Sequence, residues 1–153
     1  MRVFGALRDG LLCGLAVVPL LAVTAQADSN LRTKPSKYSV SETLDRIERA
    51  ITAKGMQIFA RIDHGGEAQK VGLTMKPTQL LIFGNPKGGT ALMVARPTAA
   101  IDLPMKALAW EDGDGKVWLT YNSPELFQER HNMPAELSSR LNSVGVLLEQ
   151  AVE

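Results

Sequence analysis

Two β-prone segments, Met105 to Glu111 and Lys116 to Asn122, are separated only by Asp112, Gly113, Asp114 and Gly115. An Asp-Gly pair between such runs is a strong hairpin signal, because these residues accept the positive φ that a tight turn demands. The chain is thereby committed to an antiparallel ribbon against which the rest must pack. If Glu111 pairs with Lys116, Trp110 faces Val117 and Leu108 faces Leu119, which makes that side the core. The same register sets Lys106 opposite Tyr121, and because either Asp-Gly pair can make the turn, a two-residue shift is also allowed.

The segments around the ribbon read as helices and strands in turn. Ser39 and Glu42 have the spacing of a capping box, Val40, Leu44, Ile47 and Ile51 recur at helical spacing, and Gly55 supplies a left-handed stop. Met56 to Ile62 alternates, with Met56, Ile58, Ala60 and Ile62 on one side. Asp63 is placed to cap a short helix over Glu67 to Val71 that Gly72 ends. Gln79 to Phe83, almost wholly apolar and closed by Gly84, Asn85 and Pro86, predicts a central strand buried on both faces. A short helix is expected over Thr90 to Ala95 and another over Glu125 to His131. A last helix should begin at Pro134, with Leu137, Leu141, Val144 and Leu148 as its stripe. The order predicts an α+β fold: a single domain, residues 38–153, in which helices pack against a mixed β-sheet.

The N-terminus predicts export. Arg2 and Arg8 precede an uncharged apolar run from Leu11 to Val23, followed by Ala25, Gln26 and Ala27, the pattern that a signal peptidase reads. Residues 1–27 are therefore expected to be a cleavable leader and residues 28–37, polar and containing Pro35, a tether. Pro19, Thr24 and Gln26 cut the run short of a membrane span, so no stable anchor is expected after cleavage. The periplasm or the extracellular space is the expected location. Cys13 is the only cysteine and would leave with the leader, so the mature chain would hold no thiol. Arg2 and Arg8 leave 17 basic residues as fifteen, and Asp9 leaves 16 acidic ones as fifteen. A neutral chain without a basic excess argues against nucleic acid as a partner.

Three segments in this order, FARIDHGGEAQKVGL, PTQLLIFGNPKGGTALM and IDLPMKALAWEDGDGKVWLTYNSP, resemble the domain-of-unknown-function family 302 from about Tyr38 to His131. Its signature positions fall here on Asp63, His64, Pro77, Gln79, Phe83, Gly84, Asn85, Pro86, Asp102, Leu103, Pro104, Trp110, Gly115, Tyr121 and Asn122. Gly88 departs from the pattern, which has a bulkier residue there. The resemblance implies a compact α+β domain, found in intracellular and exported proteins, with a homodimer as a candidate assembly. It implies no catalytic set, because the family has no established activity.

Four groups of residues offer chemistry. The stretch Gly84 to Thr90 leaves an apolar strand, and a helix start with Asn85 and Lys87 nearby could hold a phosphate or carboxylate. Asn-Pro and Gly-Gly are also ordinary turn formers. His64 beside Asp63 could act as an oriented acid or base, or be a surface residue next to a helix cap. Met56, Met75, Met93, Met105 and Met133, with the two histidines, raise Cu(I), but they are scattered singly and suit a core. No cofactor or metal site is expected. Asp102, Lys106, Tyr121 and Asn122 gather at one end of the hairpin in the first register. The leading expectation is a non-catalytic module holding a small anion near Gly84, Asn85, Lys87, Asp102, Lys106, Tyr121 and Asn122. An enzyme using His64 with Asp63 is the alternative, and a structural or partner-binding domain the third.

Overall fold

The structure, a computed structural model, describes residues 30–153. The expected leader lies outside the described residues. The strands are β1 Leu31–Ser36, β2 Gln57–Asp63, β3 Thr78–Gly84, β4 Met105–Glu111 and β5 Val117–Asn122, joined in one sheet in the order β1, β5, β4, β3, β2. The helices are α1 Val40–Ala53, α2 His64–Lys70, α3 Pro86–Ala95, α4 Pro124–His131, α5 Ala135–Ser138 and α6 Asn142–Val152, with 3-10 turns at Pro97–Ile101 and Ser139–Leu141.

The α+β class is as expected, but every strand pairing is antiparallel rather than mixed. From β2 to β5 each connection re-enters the sheet at the end it left, so no parallel neighbours arise. Only α1 crosses, carrying the chain from one edge strand to the other beneath β5, β4 and β3. Ser39 caps it by accepting from the Glu42 amide at 3.2 Å. The stripe Val40, Leu44, Ile47 and Ile51 is buried against Leu81, Phe83, Ala107, Ala109, Leu119 and Tyr121, with Leu148 and Val152 of α6 beside it. Each fully buried aliphatic side chain contributes about 1.5–3 kcal/mol, so this stripe fixes where α1 lies.

Four expectations are corrected. Residues 31–36 are no tether: they pair with β5 from Leu31 opposite Asn122 to Ser36 opposite Val117. An edge strand tolerates Pro35 and needs no apolar alternation, which is why its sequence looks like linker. The hairpin register is shifted by one residue from the one expected, Glu111 pairing with Val117, Trp110 with Trp118 and Ala107 with Tyr121. The cause is Asp112, whose Oδ1 accepts from the amides of Asp114 at 3.0 Å and Lys116 at 2.9 Å and so places one more residue in the turn. A one-residue shift exchanges the faces. Ala107, Ala109, Leu119 and Tyr121 are therefore buried, while Trp110 and Trp118 stack on the other side at 6.3 Å. In β2 a bulge between Ile58 and Ala60 breaks the alternation, so that Ile58 pairs with Phe83 and Ala60 with Ile82, on opposite faces. The strand Thr78–Gly84 is buried on one face only, and β4 is the middle strand.

Two helices also differ in extent. Helix α3 begins at Pro86 rather than Thr90, because Asn85 caps it by accepting from the Lys87 amide at 3.0 Å. The last helix is interrupted at Ser139–Leu141, where Ser138 and Ser139 donate back to Ala135 O and Glu136 O. A second cluster, Leu92, Ala99, Phe127 and Met133, packs apart from the sheet.

Candidate functional site

The two hydrophobic clusters do not close on each other completely. Between them runs a cleft of about 780 Å³, lined by residues 54–59, 84–93, 103–105 and 140–150 in part. Met56, Met105, Val144 and Leu147 belong to the sheet side, and Leu92, Leu103 and Leu141 to the satellite side. Its volume falls in the range of small-molecule sites. Among the side chains lining it, the charged ones are Lys54 and Arg140, and neither forms an ion pair among the described residues. Asn85, Thr90, Ser143 and Gln150 supply polar groups.

Local structure explains how these residues come together. Lys54 ends α1, where its amide donates to Ile51 O and Thr52 O, and Gly55 at φ +74° turns the chain toward Met56. Gly84 ends β3 beneath Pro104, and an added Cβ would stand 3.6 Å from the Pro104 Cβ and 3.8 Å from Phe59. Arg140 lies in the 3-10 turn between α5 and α6. Phe59, next to the bulge of β2, is 51% exposed and stands on the cleft's rim.

Of the residues expected to bind a ligand, Gly84 and Asn85 line this cleft and the others do not. Lys87 is exposed in the first turn of α3. Lys106 pairs with Ile82, and its ammonium donates to the backbone oxygens of Asp102 at 3.1 Å and Pro104 at 2.9 Å. Tyr121 lies on the helix-covered face and donates to Glu149 at 2.6 Å. Burial, then this bond to a carboxylate, holds its phenol well above the usual range. Asn122 pairs with Leu31 at the sheet's other edge. Met105, at the start of the hairpin, thus joins the Gly84 stretch in the cleft, whereas Asp102, Lys106, Tyr121 and Asn122 do not.

The histidines separate as well. His64 is exposed at the start of α2, and Asp63 caps that helix by accepting from the Gly66 amide at 2.9 Å. Neither lines the cleft. His131, weighed in the sequence only as the second histidine of a metal set, is buried. Its Nε2 lies 2.6 Å from Asp102 and its Nδ1 3.0 Å from the Thr98 hydroxyl, and Arg130 donates to the same carboxylate at 3.0 Å. This cluster pins the 3-10 turn at Pro97–Ile101 to α4. The residues missed were Lys54, Phe59 and Arg140, while Met56, Met93 and Met105 had been weighed only as candidate metal ligands or core. Only the tertiary fold brings their four segments together.

Fold and cleft define a two-layer α+β domain with a ligand-sized groove between its main core and a satellite lobe. The chain belongs to the family described as "Domain of unknown function DUF302", whose model matches residues 32–153. A crystal structure of an uncharacterized conserved protein DUF302 from Bacillus stearothermophilus shares the fold, with a TM-score of 0.73 and 17% identity over 82% of this chain and 99% of that one. Two curated relatives from Brucella suis and Brucella abortus, each named "Fluoride-specific ion channel FluC 1", are 50% identical over 106 residues, 69% of this chain. The match covers 42% of the first and 39% of the second, so this chain spans about two fifths of their length.

Proposed function

We propose that the domain is a non-catalytic binding module for a small organic anion, held in the cleft between the two hydrophobic clusters. One observation carries the reading. Lys54 and Arg140 line a largely apolar cleft whose lining holds no acidic residue. Both cations are exposed and lack ion-pair partners among the described residues, so they are free to attract an anion, an attraction that added salt should weaken. The apolar lining then rewards an organic body rather than a bare ion. No base or nucleophile with an orienting partner lines the cleft, and the placement of His64 and Asp63 lends the acid–base alternative no support.

The test is a thermal shift of residues 28–153 against organic carboxylates, phosphate and fluoride. Stabilisation by an organic anion is expected to reach about 2.7 kcal/mol at one hundred times its Kd. The double variant Lys54→Ala/Arg140→Ala should lose it. Fluoride belongs in the panel because of the relatives' name; a strongly hydrated ion gains nothing from apolar walls, and no shift is expected. No response to any organic anion would refute the reading.

The leader-like N-terminus supports placing this module outside the cytoplasmic membrane. Among the described residues no helix is long and apolar enough to cross a membrane. A second copy of the chain is the partner we propose for the face of the sheet opposite α1 and α6, where Leu80, Leu108, Trp110 and Trp118 are half-buried. Sedimentation equilibrium of residues 28–153 tests this, a monomer at all concentrations being the adverse result.

A further inference from the structure

We infer that the anion is a single-chain amphiphile, an unbranched acyl chain ending in a negatively charged head. This rests on reading the cleft as an anion site and adds the class of ligand. The first ground is the chemistry of the walls. Met56, Met93 and Met105 come from the residue before β2, from α3 and from β4, and all three line the cleft. Unbranched thioether side chains with three rotatable bonds adapt to a flexible chain and offer no flat platform for a ring. Phe59, on the rim, is the one aromatic residue in the lining; both tryptophans and both tyrosines lie elsewhere.

The second ground is extent. Ser143 and Gln150 both line the cleft from α6. Seven residues of helix rise about 10 Å, so the groove runs along about two turns. Largely apolar walls over that length accommodate an extended chain. The third ground is charge: two unpaired cations and no acid select a carboxylate or phosphate head over an amine or a neutral alcohol. Val146, 55% exposed and also in the lining, leaves the groove open at the side for entry.

The test is calorimetric titration of residues 28–153 with acetate, octanoate and laurate below micelle-forming concentrations, beside benzoate, dodecylamine and lysophosphatidylglycerol. A fully buried methylene contributes about fourfold in affinity. Laurate should therefore bind at least tenfold more tightly than octanoate, and acetate and dodecylamine should not bind measurably. Val146→Asp, at an exposed position, should weaken laurate at least tenfold while leaving the melting temperature of the free protein unchanged. Laurate and lysophosphatidylglycerol present the same chemistry from two sources, and the tighter of them names the source. Affinity independent of chain length, or benzoate binding more tightly than octanoate, would overturn the inference. If benzoate binds and Lys54→Ala/Arg140→Ala abolishes it, the anion site stands without the acyl chain. If no anion binds, both readings fail.

Discussion

Tyr121 shows how one buried hydroxyl sets both packing and pH response. Its ring lies so close to α6 that a Cβ added at Gly145 would come within 3.0 Å of the phenol oxygen, so this helix approaches the sheet only because residue 145 has no side chain. The same oxygen donates to Glu149, which also meets Lys34 at 3.2 Å. Burial alone would raise the Glu149 carboxyl, but the bonds from Tyr121 and Lys34 outweigh it and hold the carboxyl below 4.5. The phenol stays protonated in the fold while that of the unfolded chain ionises near 10.0. Its contribution is thus complete below that value and is lost as pH rises above it. The carboxylate's contribution is present above 4.5 and is lost as pH falls through its lower folded value. Urea midpoints measured across pH are expected to fall less steeply above pH 10 in Tyr121→Phe, and less steeply below pH 4.5 in Glu149→Gln. Unchanged slopes in both variants would disconnect the pair from stability.

Elements differ in how openly their sequences announce them. Helix α1 was legible because cap, stripe and stop agree on one segment, from Ser39 to Gly55. Strand β1 was not, because an outer strand buries little of itself: Arg32 and Lys34 reach Glu125 on α4 and Glu149 on α6, and Pro35 needs no ladder partner on the open side. The hairpin was recognised but its register misread, since the Asp112 side chain closes a turn one residue longer than the spacing of the Asp-Gly pairs suggests. Deleting residues 28–36 should lower stability by at least about 2 kcal/mol, because net gains near 1 kcal/mol per ladder bond are lost along six paired positions and only partly offset by the freed chain entropy. Urea unfolding measures this directly; equal midpoints would return the segment to the status of a tether.

For the whole molecule, the class of fold could be read from the order of elements, but the site could not. A cleft assembled from four segments, with cations from the end of α1 and from a 3-10 turn, leaves no spacing to recognise. Gly84 and Asn85 were found because strand exits and helix starts have local signatures. Lys106 and Tyr121 were drawn in by a register that the fold does not adopt. Exposed large side chains such as Phe59 and Val146 acquire meaning only once the cleft lies beside them.

The methionines provide a direct measurement of the central claim. Met56, Met93 and Met105 line the cleft, whereas Met75 is exposed on the loop after α2 and Met133 is buried in the satellite cluster. Carbon-13 methyl-methionine spectra of residues 28–153, titrated with the organic anion that most raises the melting temperature, should show the first three methyl signals moving together to saturation while the other two stay in place. Saturation with Met56, Met93 and Met105 unmoved, or with Met75 and Met133 moving as far, would place the ligand elsewhere and contradict the account.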